Sequence, residues 1–326
     1  MTLYNDSKRI VGTNADRIGT SAISGGWKEI GRTTLGSAGD ALTVSSFADK
    51  RYYMFLYNAI PSGEMTEYLT FGSLGVKDTT AKYANRVSSN GASSGSGYNS
   101  RSNIVFSAKS GGTQPEFGVS YIANKSDRAK LLIGHCVNAH TAGAGTAPDR
   151  TEFVGKHVQT SNPLNVVSFD NTGTGDYVSG TECVVLGYDP DDTHTTNFWE
   201  QLYTDSKTGQ STNNINTGTF TNKKYLWVQL WCKGTGNTTV KATFNNSTDS
   251  TYAYRASNNG GTEIEANAQT NFVLHNTKAK DDKFINMFIV NNGTNEILGF
   301  AHTGEGNNDD AGVAPLIRET AFKRST

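Results

Sequence analysis

The sequence predicts an all-β protein: a tandem duplication of a β-sandwich, jelly-roll-like unit behind an N-terminal arm. Three observations predict it. Apolar residues fall in short runs, often alternating with polar ones and bounded by Gly, Pro, Asn, Asp and Ser clusters. That is the pattern of brief strands and turns, and no 3.6-residue period is sustained long enough for a helix. Composition agrees, with 35% hydrophobic and only 18% charged residues, against about 25% charged in ordinary globular chains. Gly, Ser, Thr and Asn make up the difference, a mix that suits turns and strands and is poor for helices. Low hydrophobicity joined to high net charge would indicate disorder, but the formal net charge is −1 and 15 Phe, 14 Tyr and 4 Trp can fill cores.

The third observation is an internal echo. Phe47-Ala48-Asp49-Lys50-Arg51-Tyr52-Tyr53-Met54-Phe55 returns as Phe220-Thr221-Asn222-Lys223-Lys224-Tyr225-Leu226-Trp227-Val228. A Phe leads a polar turn with two basic residues, and an aromatic-rich strand follows. Further matches keep the same order. Trp27-Lys28-Glu29-Ile30 answers to Trp199-Glu200-Gln201-Leu202, Tyr83-Ala84-Asn85-Arg86 to Tyr252-Ala253-Tyr254-Arg255, and Ser89-Asn90-Gly91 to Asn258-Asn259-Gly260. Phe117 through Asn124 answers to Phe284 through Asn291, Ala144–Pro148 to Ala311–Pro315, and Lys156 to Lys323. Colinear matches at a nearly constant offset are the signature of a repeat.

Taken in order, residues 1–26 read as an arm with at most one edge strand; Met1–Thr20 holds one short apolar pair, Ile10-Val11. The first unit, 27–188, carries strand-like runs at Trp27–Arg32, Ala41–Val44, Arg51–Ala59, Glu67–Phe71, Ala81–Val87, Asn103–Phe106, Phe117–Ala123, Lys130–His135, Glu152–Val158, Asn165–Phe169 and Glu182–Tyr188. Ser88–Gly97 reads as a Ser/Gly loop. Residues 189–198 form an acidic linker, and 199–326 the second unit. After Lys323 that unit has no counterpart of the two strands that close the first. The N-terminal arm, a neighbouring subunit or a further segment is expected to complete it, because an unclosed sheet leaves backbone groups unpaired. Phe47, Tyr53 and Phe55, with Phe220, Leu226 and Val228, are the expected residues of the central core strand in each unit. The echo keeps apolar volume rather than particular chemical groups, which suits a core better than a binding stripe.

Several function classes find no support. The near-neutral charge lacks the basic stripe of a nucleic-acid binder. No apolar run approaches the ~18 residues that span a bilayer, and Met1–Asp6 has no signal-peptide core, so synthesis in a cytoplasm is expected. Cys136, Cys183 and Cys232 are odd in number and follow no framework spacing, so they read as small apolar residues. There is no P-loop, HExxH or CxxC pattern, and the expectation is a non-enzymatic protein without cofactor or metal. His135 and His140 lie five apart, on opposite faces of a strand. Asp189-Pro190-Asp191-Asp192 and Asn307-Asn308-Asp309-Asp310 offer oxygen atoms for Ca²⁺ but match no EF-hand loop. Sequons such as Asn124-Lys125-Ser126 are expected to carry no glycan. Tyr98, Tyr177 and Tyr188 are candidate exposed aromatics that would stack on sugars. Two charged positions recur in both units: Arg86 with Glu152, and Arg255 with Glu319. They are expected to form structural ion pairs, one within each unit.

The runs Gly31-Arg32-Thr33-Thr34-Leu35-Gly36, Lys50-Arg51-Tyr52-Tyr53-Met54, Tyr83-Ala84-Asn85-Arg86 and Thr141–Pro148 resemble a β-repeat unit of structural proteins of marine viruses, chiefly tailed phages. Val184-Val185-Leu186-Gly187-Tyr188-Asp189 resembles its closing strand. The resemblance spans about 27–192 well and 199–326 more weakly, and it rests on no single diagnostic motif. It implies a virion component: an oligomeric fibre, tail-associated or capsid-decorating subunit. Its partners would be further copies of itself, with a trimer favoured, and other virion proteins. The alternative is a carbohydrate- or host-receptor-binding module that meets a host surface glycan.

Overall fold

The structure is a computed structural model that describes residues 3–5, 8–11, 23–24, 26–91, 96–106, 113–189, 192–194, 196–205, 214–233, 239–276, 282–293, 295–306 and 314–325. The protein is all-β, and the described residues contain no helix. The N-terminal strands are β1 (Leu3–Asn5), β2 (Lys8–Val11) and β3 (Ile23–Ser24). Next come β4 (Lys28–Thr34), β5 (Ala41–Ser45), β6 (Tyr52–Ala59), β7 (Glu67–Ser73), β8 (Val76–Lys77), β9 (Tyr83–Ser89), β10 (Ser96–Arg101) and β11 (Ile104–Val105). The first half ends with β12 (Glu116–Ala123), β13 (Lys130–Asn138), β14 (Asp149–His157), β15 (Val166–Asn171) and β16 (Glu182–Tyr188). After β17 (Thr193–His194) the second half holds β18 (Tyr225–Lys233), β19 (Thr239–Ala242), β20 (Tyr252–Asn258), β21 (Ile264–Gln269), β22 (Phe272–Asn276), β23 (Asp282–Val290), β24 (Ile297–Glu305) and β25 (Leu316–Arg324).

The first half is a sandwich. An eight-stranded sheet runs β10-β9-β14-β13-β12-β6-β16-β4, and a five-stranded sheet runs β11-β7-β15-β5 with β8 beside β7. Between them lies an aromatic core that includes Phe47, Tyr53, Phe55, Tyr57, Phe71, Phe106 and Phe169. Tyr57 stacks on Phe169 with ring centroids 4.1 Å apart, and its hydroxyl donates to buried Glu67. The second half has a six-stranded sheet, β18-β23-β24-β25-β20-β21, covered on one face by the β19-β22 pair. Among the described residues its second layer is therefore two strands, where the first half has five.

Strand order and register repeat between the halves. The path β6-β12-β13-β14-β9-β10 is matched by β18-β23-β24-β25-β20-β21. His135 pairs with Glu152 and His302 with Glu319; Arg86 pairs with Val154 and Arg255 with Ala321. The Asn-Gly turns agree too. Asn90 and Gly91 have φ of 51° and 67°, and Asn259 and Gly260 have 51° and 66°, the left-handed pair of a type I′ turn, which Asn-Gly supplies at least cost. Each turn Asn accepts a backbone N–H through its side chain: Asn90 from Arg150 at 2.9 Å, and Asn259 from Ile317 at 2.9 Å.

The two large sheets pack face to face. Met54, Leu56, Phe117, Val119, Val137, Val184 and Leu186 of the first meet Tyr225, Phe288, Val290, Leu298, Phe300 and Ala321 of the second. This explains the unbroken apolar run in β6. Odd positions enter the sandwich core and even positions enter the inter-sheet core, so alternation disappears, as it does wherever a sheet is covered on both faces.

Some expectations need correction. Phe47, Tyr53 and Phe55 are buried core residues, but Phe220 is 37% exposed and lies outside any core. Leu226 and Val228 are only partly buried, because β18 is an edge strand rather than a central one. Trp199–Leu202 forms no strand; Trp199 packs instead on Trp227 and Phe288. The described strands of the arm pair with each other and with β17 of the linker, not with β18. The Ser/Gly loop ends earlier than expected, since β10 already starts at Ser96 and pairs with β9.

Candidate functional site

Where the large sheets meet, hydrophobic packing gives way to a polar cluster. β13 supplies His135, β14 supplies Arg150 and Glu152, β24 supplies His302, and β25 supplies Glu319. Glu263 joins from the turn before β21. On each strand these residues take the face directed at the opposing sheet. The repeated register therefore brings equivalent residues together: His135 faces His302 with ring centroids 4.3 Å apart. Glu152 and Glu319, equivalent in the same way, share a hydrogen bond.

Arg150 is the hub. Its side chain is only 7% exposed, and its guanidinium reaches Glu152 at 2.6 Å, Glu319 at 2.6 Å and Glu263 at 2.7 Å. Burial disfavours the charged guanidinium, but the three carboxylates outweigh it and raise its affinity for the proton. Glu152 is pushed up to about 8, first by burial and then by the hydrogen bond it shares with Glu319. In Glu319 burial acts upward, yet hydrogen bonds from Glu152 and Arg150 prevail and hold the group low. Burial and mutual repulsion thus favour the protonated form of Glu152, while Arg150 favours the ionised form of Glu319. Burial lowers His135 to about 3, and proximity to His302 adds to it. Burial also lowers His302. Both imidazoles are neutral at neutral pH.

The recurring charged residues are thus present but differently partnered. Glu152 bonds Arg150 on its own strand rather than Arg86, which is exposed and pairs with Val154 across the sheet. Glu319 bonds Arg150 of the other half rather than Arg255. Arg255 is buried and reaches Glu265 at 2.5 Å, the Pro148 carbonyl at 2.8 Å and Asp149 at 3.7 Å. The expected pairs within each unit are replaced by a cluster that joins the units. Arg150 was missed because its register equivalent is Ile317, so recurrence gave no hint of it. The His135–His302 correspondence was visible in the repeat; that the two would meet was not.

Other candidates resolve more simply. His140 turns away from His135 and lies 2.8 Å from Asp149. Asp192 pairs with Lys50 at 2.6 Å, while Pro190, Asp191 and Asn307–Asp310 lie outside the described residues. Tyr177, expected on the surface, is 0% exposed in the sandwich core. Tyr98 is half-buried against that core and Tyr188 is half-buried beside Trp27. Cys136 and Cys183 are buried and Cys232 half-buried, all as free thiols. The Asn124 side chain is buried and bonded to Asp49, Tyr53 and the Lys50 carbonyl, so it offers no place for a glycan.

Glu152 and Glu319 bond the same guanidinium nitrogen of Arg150, each at 2.6 Å. Arg150 clamps both. The arrangement ties one sheet to the other through Arg150. Comparison with known proteins adds no identity: no protein-family model, curated protein or solved structure matches this chain.

Proposed function

We propose that the chain is a non-enzymatic structural subunit of a virion, fibre, tail-associated or capsid-decorating, that assembles with further copies of itself. The observation that carries this reading is the outer edge of β18. In the first half the same edge of β6 is covered by β16, and β16 in turn by β4. Beside β18 no strand lies on that side among the described residues. β18 is nine residues long, and Trp231 near its end is 63% exposed. A long edge with apolar side chains is a template for a strand from another chain, and the first half shows what such a place accepts: an antiparallel strand. The edge supports assembly by strand addition; a trimer is the state we favour.

Sedimentation and light scattering of the purified chain test the reading. An oligomer that dissociates when Gln229 and Trp231 are both changed to Lys, with the strand signal in circular dichroism retained, supports it. A parent chain that stays monomeric at tens of micromolar would end it.

A second reading rests on a row of rings. Tyr52, 39% exposed, stacks on Tyr188 at 5.9 Å, and Trp27 follows at 5.6 Å. Such a row suits a sugar face, as a host-receptor-binding module would need. Glycan-array binding that Tyr52→Ala abolishes would favour it over pure assembly.

A further inference from the structure

We propose that His135, His302 and Glu319 form a divalent transition-metal site, selective for Zn²⁺-like ions, that ties the two large sheets together. One ligand-bearing atom from each of the three lies within 4.8 Å of the others, and the residues come from three strands on two sheets. Tetrahedral coordination at 2.0–2.2 Å places N and O ligands about 3.3–3.5 Å apart. The approach still needed is about 1.3–1.5 Å, within reach of side-chain rotation.

The surroundings suit a cation in four respects. A small cavity opens onto the cluster, lined by these three residues with Arg150, Glu152 and Phe300, and it has room for about one water or one ion. No ring nitrogen of either histidine has a hydrogen-bond partner among the described residues; His302 Nε2 lies 3.9 Å from Glu319 Oε1. Glu319 is already oriented: Arg150 holds its Oε2 at 2.6 Å, so Oε1 is the atom turned to His302. A ligating carboxylate held by a second hydrogen bond is the usual support of a metal site. Finally, three carboxylates, Glu152, Glu263 and Glu319, surround one guanidinium. Formal charge is therefore negative, and a divalent cation offsets it.

The donor set chooses the metal. Two imidazoles and one carboxylate favour Zn²⁺, Co²⁺ or Ni²⁺ over Ca²⁺ and Mg²⁺, which take oxygen shells. Three protein ligands leave a fourth position facing the cavity for water. His302 and Glu319 are 30% and 23% exposed at the side chain, so an ion can enter from solvent.

Co²⁺ titration of the purified full chain, followed by visible absorption, is the direct test, with Zn²⁺ displacement and thermal melting alongside. The expected result is one equivalent bound with a tetrahedral or five-coordinate spectrum, and a melting point that rises with metal. Loss of an orienting partner alone weakens such sites about 10–100-fold, so His302→Gln and His135→Gln should each weaken binding by more than that. His140→Gln, in the turn after β13, should leave it unchanged. Melting without metal shows whether the variants fold, and His302→Asn supplies a second substitution at that ligand. The proposal is overturned if the parent binds no Co²⁺ at millimolar concentration. It is equally overturned if folded His135→Gln/His302→Gln protein binds as the parent does, or if the bound spectrum is that of an octahedral aquo ion.

Discussion

β6 and β18 occupy the same place in two copies of one strand path, and their fates differ. In β6 every residue after Tyr52 is buried, because strands flank both edges and cores press on both faces. In β18 only Tyr225 is buried, although Leu226, Trp227, Val228 and Leu230 are as apolar as their counterparts. Burial therefore follows the neighbours a strand is given, not its own composition. The same holds at single positions. Lys156 and Lys323 are equivalent; the first is exposed, while the second is 0% exposed and donates to the Ala139 and Thr141 carbonyls at 2.6 and 2.5 Å. Arg150 is the buried hub of the inter-sheet cluster, and its counterpart Ile317 is 47% exposed. Equivalent backbones carry different work.

Substitutions at equivalent positions sharpen this contrast. Phe55→Ala removes a fully buried ring and should cost about 3–5 kcal/mol, whereas Val228→Ala on the exposed edge should cost about 1 kcal/mol or less. Denaturant midpoints of the two variants measure the gap, and equal losses would mean that β18 is covered in solution. Arg150→Met leaves three carboxylates without their cation and should destabilise by about 3–5 kcal/mol; Ile317→Ala should stay within about 0.5 kcal/mol. Lys323→Met strips two carbonyls of their donor, at about 1–3 kcal/mol, with Lys156→Met near zero by the same thermal melt.

Acid should act on the second half in a defined window. His275 is buried within 3.1 Å of Glu305, with Lys283 and Arg318 also facing it, and burial lowers it to about 4. Between about 6.5 and 4 the unfolded chain takes up a proton that the folded chain refuses. Stability is therefore full above pH 6.5 and declines as pH falls, by on the order of 2 kcal/mol. His275→Gln should flatten that part of the profile in melts taken from pH 7 to 4. Asn90→Ala and Asn259→Ala each place alanine at positive φ and should cost about 1 kcal/mol apiece. Unequal costs would show that the two turns are not equivalent in energy.

Much of the architecture was legible in the residues. Turn clusters separated the strands, and the repeat carried the Asn-Gly turns, the Tyr-Ala-x-Arg strand and the positions of Glu152 and Glu319. What failed was partnership. A strand's run of apolar residues reports that both faces are buried, but Met54 and Leu56 do not say that the second cover is the other half of the chain. Glu152 and Glu319 recur, and recurrence points only to partners that also recur, Arg86 and Arg255. The true partner, Arg150, does not recur. Tyr177 shows the same limit: Gly and Asp flank it as they flank surface turns, yet its backbone bridges to Gly39 and Pro61 draw the ring into the core.

The meeting of His135 with His302, and of Glu152 with Glu319, has a further consequence. Two identical chains packed about a twofold axis must place each axial residue against its own copy, so an acid there always meets an acid. Joining the two partners in one polypeptide removes that constraint. One half can hold a cation where the other holds an aliphatic side chain, as Arg150 and Ile317 do, and a contact that repels itself in a homodimer becomes a clamp.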